Sequence, residues 1–383
     1  MPRDREHDIV LFGATGFTGA LTAEYLAANM PAGTRWALAG RDRGKLAALR
    51  DRLAVDVPLL HADVADPASL RALAGATRVA ISTVGPYMRY GAGLVEACAL
   101  AGTDYVDLTG EPEFVDLMYV RHHEQARQSG ARLIHCCGFD SIPHDLGAQL
   151  TVERLPEGVP LKVEGFLRAR GGMSGGTLHS AVDAFSRLRS SRTAARERKR
   201  VAPRPVGRAV HGIAGAPHNQ PGIGWVLPLP TIDPQVVLRS AAALLRYGPD
   251  FSYAHYLVTG SLPAAAAVAG GALGAIALAQ ASATRRLLLD RIAPGDGPSP
   301  ERRATSSFAV RFLGEGGGQR VTVEVSGGDP GYGETAKMLG ESALCLAHDD
   351  LPELAGQLTT AVAMGVPLRE RLQRAGIAFA AIA

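Results

Sequence analysis

A chain of 383 residues, 46% hydrophobic and 5% aromatic, is long enough for two domains whose cores lean on alanine, leucine and valine. A formal net charge of +3 is too small to make nucleic acid a general partner, and four cysteines without a C-x-x-C pair give neither a disulfide framework nor metal-ligand spacing. The charged opening "MPRDREHD" lacks the apolar stretch of a secretory signal, so a cytoplasmic location is expected.

In chain order, strands are predicted at Ile9 to Phe12, Trp36 to Ala39, Val57 to His61, Arg78 to Ser82, Asp104 to Asp107 and Arg132 to Cys136. Helices are predicted between them at Thr18 to Ala28, Arg43 to Leu53, Pro67 to Ala74, Gly91 to Ala101 and Glu113 to Ser129. Six strands with five crossovers make an α/β fold with a doubly wound parallel sheet of the Rossmann type over residues 1–150. The alternation then stops. Residues 151–330 read as a second, α+β domain for substrate or dimerisation, with a strand in "LKVEGFLRARG", a helix from Gly176 to Leu188 and an antiparallel hairpin in "SSFAVRFLGEGGGQRVTVEVSGG". The Pro- and Gly-rich stretches Pro203 to Pro234 and Pro294 to Pro300 read as loops. Residues 331–383 close the chain with helices packing back on the core, at Glu334 to Ala347 and Glu353 to Met364.

The first strand runs into "GATGFTG", where Gly13, Gly16 and Gly19 form a G-x-x-G-x-x-G turn before a helix. Glycines there let the backbone approach an anion closely and leave helix N–H groups to bind it, and the usual anion is a nucleotide pyrophosphate. Past the second strand stand Arg41, Arg43 and Lys45, which favour the 2′-phosphate of NADP(H); Asp42 would hold an NAD(H) ribose if the register shifted by one. Asp63, after the third strand, reads equally as an adenine contact or as the cap of the next helix. The loop "STVGPYMRYG" places Gly85, Pro86 and Tyr87 on the nicotinamide side, with Tyr87 either a participant or a wall residue.

In their order and separations, "GATGFTG", "AGR", "STVGPY", "YVDLTGE", "CCGFDSIPHDLG", "GGMSGGTLHS" and "GYGETAKMLGESAL" resemble the saccharopine dehydrogenase-like oxidoreductases, most closely their trans-acting enoyl reductase branch. The resemblance implies NADP(H)-dependent reduction of an unsaturated acyl or polyketide-derived lipid. Carried over by position, it implies that Gly13, Thr15, Gly16, Phe17, Thr18 and Gly19 hold the pyrophosphate, Arg41 the 2′-phosphate, and Gly85 and Pro86 the nicotinamide side. It also brings Gly138, Phe139, Asp140 and Ser141 to face the hydride, Gly138 and Asp140 counting among the cofactor-binding residues. Where His144 stands, the resemblance implies a serine.

Saturating an activated C=C requires a proton donor beside the hydride. No Tyr-x-x-x-Lys pair exists, since Arg41, Gly158, Ala195 and Gly333 stand four before the four lysines. The candidate donors are Tyr87, Ser141, His144 and Lys337; Ser141 reads also as a helix cap, and Lys337 as a salt-bridge partner. No H-E-x-x-H occurs and "RHHEQAR" lies on a predicted surface helix, so no metal site is expected. "GMSGG" at residues 172–176 fits the letter of a nucleophile elbow, but the parallel sheet already serves a nucleotide, and the segment reads instead as a helix start lining the substrate cleft.

Two segments bear on partners. Residues 187–208 hold nine arginines or lysines against one glutamate, read as a solvated helix end or loop, or as a surface for an anionic membrane or an acidic acyl-carrier domain. Residues 262–283 are uncharged and rich in alanine and glycine, read as a docked helical hairpin or as a peripheral membrane contact. A homodimer is a further expectation. The rival readings are a C=N or C–N oxidoreductase acting on amino acids, with Arg168 and Arg170 forking the carboxylate, and a non-enzymatic NADP(H)-binding protein.

Overall fold

Runs of Val, Ile, Leu and Ala with no polar alternation can be buried on both faces only between layers of helices, and the amino-terminal strands obey this rule: every residue of His7–Phe12 and of Trp36–Gly40 is buried. The computed structural model describes residues 5–170, 188–280 and 299–382. Its strands, in chain order, are β1 (His7–Phe12), β2 (Trp36–Gly40), β3 (Leu59–His61), β4 (Thr77–Ser82), β5 (Asp104–Asp107), β6 (Arg132–Ile134), β7 (Leu161–Arg170), β8 (Ala209–Gly212), β9 (His218–Gln220), β10 (Gly224–Pro228), β11 (Asp250–Gly260), β12 (Ser307–Gly316), β13 (Gln319–Gly327), β14 (Gly356–Leu358) and β15 (Ala378–Ile382).

Among the described residues these form two sheets. The first is parallel throughout, in the order β14-β6-β5-β4-β1-β2-β3, with Val10 opposite both Ala37 and Ala80. Its strand order reverses between β1 and β4, the switch point where an open parallel sheet leaves a crevice. Crossover helices are punctuated by local chemistry: proline opens Pro67–Ala76 and Pro112–Ser129, and left-handed Gly102 and Gly130 end the helices before β5 and β6. The second sheet runs β15-β13-β12-β7-β11-β10-β9, with β8 sharing the far edge of β11. It is mixed, β11 lying parallel to β7 and β12 antiparallel to both β7 and β13.

Helix Ile142–Glu153 ties the sheets together. It leaves the end of β6 and crosses the second sheet so closely that a Cβ on Gly147 would lie 2.3 Å from the Phe312 ring. One hydrophobic core therefore continues from Ile9 and Leu11 through Ile142 and Leu146 to Phe312 and Val325. Asp145 fastens the junction, accepting hydrogen bonds from Ser240 Oγ (2.5 Å), Thr360 Oγ1 (2.7 Å) and the Ala361 amide (2.8 Å).

Several expectations need correction. The parallel sheet has seven strands among the described residues, because β14 joins from the carboxyl-terminal region where a helix from Glu353 was expected; only the short Thr360–Ala363 is helical there. Residues between Pro203 and Pro234 hold β8, β9 and β10 rather than loop alone, since pairing with β11 overrides their proline and glycine content. The segment from Leu262 is one helix to Gln280, not a hairpin within the described residues, and it leaves Leu262, Val268 and Leu273 exposed. The helix expected from Gly176 and the "GMSGG" motif fall outside the described residues.

Removing the Asp145 carboxylate strands three buried donors, so Asp145→Ala should destabilise the protein by about 3 kcal/mol, read as a lowered urea midpoint.

Candidate functional site

The turn after β1 is built by close approach. Gly13 lies at φ +87°, and a Cβ on Gly19 would stand 2.1 Å from the Gly13 carbonyl oxygen. No side chain larger than hydrogen fits between helix Phe17–Asn29 and the strand end. Thr83, just past β4, donates from its hydroxyl to the carbonyls of Phe12 (3.1 Å) and Gly13 (3.0 Å), fixing the turn from the neighbouring strand. Gly16 is the helix N-cap and carries no side-chain cap, and Thr15 and Gly16 are exposed. Uncapped amides at an exposed, glycine-lined helix start fit a diphosphate. Phe17 turns away, its ring meeting Tyr332 edge-on at 4.7 Å between centroids, and Thr18 is half-buried in the same first turn.

At the end of β2, Arg41, Arg43 and Lys45 are all exposed, as a 2′-phosphate would require. Asp42 is the N-cap of Arg43–Leu53, accepting from the Lys45 amide at 3.0 Å, and so serves the helix. Asp63 accepts from the Ala65 amide at 2.9 Å, while the cap of the following helix is Asp66. Gly85 is exposed and Pro86 half-buried beyond β4, on the same carboxyl edge as the glycine turn.

The proposed donors are placed as follows. Tyr87 is buried, its hydroxyl donating to the Ser82 carbonyl at 2.9 Å while its amide donates to Glu111. Burial, with Asp107 nearby, pushes the phenol well above its ordinary range. Ser141 is fully buried and turns its hydroxyl back to the Asp140 carbonyl, making no side-chain cap. Lys337 forms an ion pair with Glu334 at 2.8 Å along its own helix. Each of these polar groups already has an internal partner.

The loop after β6 is clamped by the distant "TAKML" motif. The Phe139 amide donates to Thr335 Oγ1 at 3.2 Å, and a Cβ on Gly138 would press on Thr335 Cγ2 at 3.1 Å. Phe139 also meets Phe308 of β12 at 4.9 Å between centroids, forming an apolar wall from both domains.

Sequence reasoning missed a buried cluster of His144, Asp233 and His255, whose polar atoms lie within 4.8 Å of one another. His144 Nδ1 is 2.9 Å from Asp233 Oδ1, and Thr231 donates to Asp233 Oδ2. These donor types occur in metal sites: His255 Nε2 is engaged with the Leu229 carbonyl (2.9 Å) and Thr231 Oγ1 (3.0 Å), while His144 Nε2 and His255 Nδ1 have no hydrogen-bond partner among the described residues. Burial opposes charge on Asp233, yet His144 and His255 outweigh it and hold the carboxyl below the usual carboxylate range. Burial pushes His255 down to about 4 against the attraction of Asp233, leaving it neutral. The three residues come from helix Ile142–Glu153, helix Asp233–Ala243 and β11, so no local spacing announces them.

A switch-point crevice in a parallel sheet, with an uncapped glycine turn and basic side chains after the second strand, defines a dinucleotide-dependent α/β oxidoreductase. Residues 9–134 match the saccharopine dehydrogenase NADP binding domain, which makes the cofactor NADP(H). The chain is 38% identical to a Mycobacterium tuberculosis protein provisionally named a trans-acting enoyl reductase, across 97% of both chains. It is 36% identical to the trans-acting enoyl reductase of Mycobacterium bovis across 98% of both. The chain therefore belongs to the saccharopine dehydrogenase-like oxidoreductases, in their trans-acting enoyl reductase branch. The fold is also that of the saccharopine dehydrogenase (L-Glu forming) of Saccharomyces cerevisiae, with a TM-score of 0.58 at 13% identity over 98% of this chain and 100% of that one.

Gly19→Ala should weaken NADPH binding by about a hundredfold or more with the far-ultraviolet circular dichroism retained, and Arg41→Ala should weaken NADPH by about tenfold while leaving NADH unchanged. Fluorescence titration of each variant with both nucleotides checks this.

Proposed function

We propose that this protein is an NADPH-dependent reductase of the C=C bond in an enoyl chain, presented as a thioester on the carrier of a partner synthase. The observation that carries the reading is the end-to-end relationship to trans-acting enoyl reductases, together with a glycine turn that fits a dinucleotide. Bound NADPH supplies the hydride for the β-carbon of the substrate.

The chain supplies placement. Gly13, Gly16 and Gly19 allow the diphosphate to reach the first-turn amides, and Arg41 faces the 2′-phosphate. Gly85, Pro86 and Gly138 line the carboxyl edge of β4 and β6 without bulk that would fill it. Phe139, half-buried and backed by the buried Phe308, offers an apolar side to an acyl chain. Arg168 and Arg170, the residues of the amino-acid alternative, both lie exposed on β7, and Arg168 reaches the Ile223 carbonyl at 3.4 Å, which does not favour a carboxylate clamp.

No helix among the described residues is long and apolar enough to cross a membrane. The exposed Leu262, Val268 and Leu273 nevertheless give helix Leu262–Gln280 an apolar surface suited to peripheral contact with a lipid substrate's membrane. Replacing Leu273 with Glu, which removes the apolar contact and is repelled by anionic lipid, should reduce flotation with anionic liposomes while leaving NADPH affinity unchanged.

The function is tested by mixing the protein with NADPH and a panel of α,β-unsaturated thioesters of increasing chain length. Loss of NADPH absorbance with formation of the saturated thioester is expected, and a protein that binds NADPH but reduces none of them would not be this reductase.

A further inference from the structure

Hydride arriving at a β-carbon moves the C=C electron pair onto the α-carbon and its carbonyl oxygen, and the resulting enolate must then be protonated. The hydroxyls of Tyr87 and Ser141 donate to carbonyls, and Lys337 is paired with Glu334. Asp140 differs from them. Its carboxylate is half-buried and makes no hydrogen bond among the described residues. It occupies the turn after β6, with Oδ2 3.0 Å from where a side chain on Gly110 would begin, so it stands over the backbone of the loop after β5. It thus lies on the carboxyl edge of the sheet and follows directly on Phe139, which forms the apolar wall with Phe308.

Resting on the reductase reading, we propose that Asp140 is the general acid that protonates the α-carbon, and that the buried Asp233–His144 pair is the positioning group that governs the proton it carries. The Asp140 O–H bond breaks as the enolate electron pair forms the Cα–H bond, and the carboxylate takes a replacement proton from solvent. One turnover consumes one hydride and one solvent proton.

The surroundings suit this task. Burial pushes the Asp140 carboxyl up to about 7, the Asp233 charge adds to the rise, and His144 pulls the other way. The Cys136 thiol, also coupled to Asp140, is kept protonated chiefly by its own burial. An acid titrating there holds a proton for much of the time at neutral pH and still gives it up readily, and it stops donating as the pH rises.

The test uses the full chain with NADPH and an α,β-unsaturated thioester, comparing wild type with Asp140→Asn, Asp233→Asn and His144→Gln. Asp140→Asn should bind NADPH as wild type does and lose about a hundredfold or more in kcat. In deuterated water the wild type should label one face of the α-carbon, and Asp140→Asn both faces, because solvent replaces the fixed donor. The alkaline limb of the pH–rate profile should move to lower pH in Asp233→Asn, which removes a repelling charge, and to higher pH in His144→Gln, which removes the group that lowers the Asp140 carboxyl. Carbon NMR of the cofactor-free wild type, assigned by loss of the signal in Asp140→Asn, should show the Asp140 carboxyl titrating near 7, which is a readout independent of turnover.

Retained kcat or single-faced labelling in Asp140→Asn would overturn the proposal, as would alkaline limbs that move together in the two positioning variants. So would an Asp140 carboxyl titrating in the ordinary aspartate range, or an Asp140→Asn protein that loses NADPH affinity but keeps its kcat, which would make the residue a cofactor contact. Wild-type protein that reduces no unsaturated thioester while Asp140 titrates near 7 would overturn the assigned proton transfer together with the reductase reading; an ordinary Asp140 titration in an active wild type would overturn the proton assignment alone.

Discussion

Ten of the twelve residues of helix Ile142–Glu153 are buried, and a helix enclosed on this scale needs an apolar layer on both sides. One side is met by helices Asp233–Ala243 and Thr360–Ala363 and the other by β7, β12 and β13, which come close enough that Gly147 can carry no side chain. The site follows from that constraint. Because the helix begins just beyond the carboxyl end of β6, its seating on the second sheet brings the turn 138–141 to the mouth of the nucleotide crevice and carries His144 against residues of Asp233–Ala243 and β11.

The same seating explains why polar groups are concentrated there. A helix start buried between two layers leaves side chains and amides without water, and each must find a partner inside. Asp145 finds three donors on two other elements, and Ser141 turns to its own neighbour's carbonyl. Asp140 is half-buried over the Gly110 backbone, its carboxylate without a hydrogen bond among the described residues. The contrast between the satisfied Ser141 and Asp145 and the unpaired Asp140 separates their structural roles from the one proposed for Asp140, and residue type alone does not give it.

The nucleotide half was legible because its signals are local. Asp42, Pro67, Pro112, Gly102 and Gly130 each mark a helix end through backbone chemistry that operates within a few residues, and the glycine turn declares its own crowding. The second half depends on partners far away in sequence. Strand β14 is three residues, Gly356–Leu358, with too short a pattern to reveal period two, and it exists because β6 offers an open edge. Strands β8 to β10 lie in proline- and glycine-rich sequence and are held by β11. Asp233 sat at the end of a segment that reads as loop, and His255 within a strand with no local signature, so their meeting with His144 could be found only in three dimensions. Family resemblance located the crevice and its cofactor, whereas the donors read from residue chemistry, Tyr87, Ser141, His144 and Lys337, have their polar groups engaged elsewhere by the fold.

The basic run shows how folding divides a charge pattern between inside and outside. In helix Leu188–Val201, Arg198 is mostly covered and reaches Asp116 at 3.0 Å, and its guanidinium lies 5.6 Å from the Tyr119 ring centroid, beside Arg239 at 5.3 Å. Arg208 donates to three carbonyls, of Gly248, Ala241 and Leu244, closing the end of helix Asp233–Ala243. Arg198 fastens its helix, Arg208 closes another, and both are withdrawn from the surface field. Arg192, Arg196, Lys199, Arg200 and Arg204 remain exposed, most of them on helix Leu188–Val201, whose Arg198 is paired to helix Pro112–Ser129. An acidic partner bound by those five would be held against a rigid element of the enzyme, which is the condition for presenting a tethered chain to the crevice in a fixed orientation.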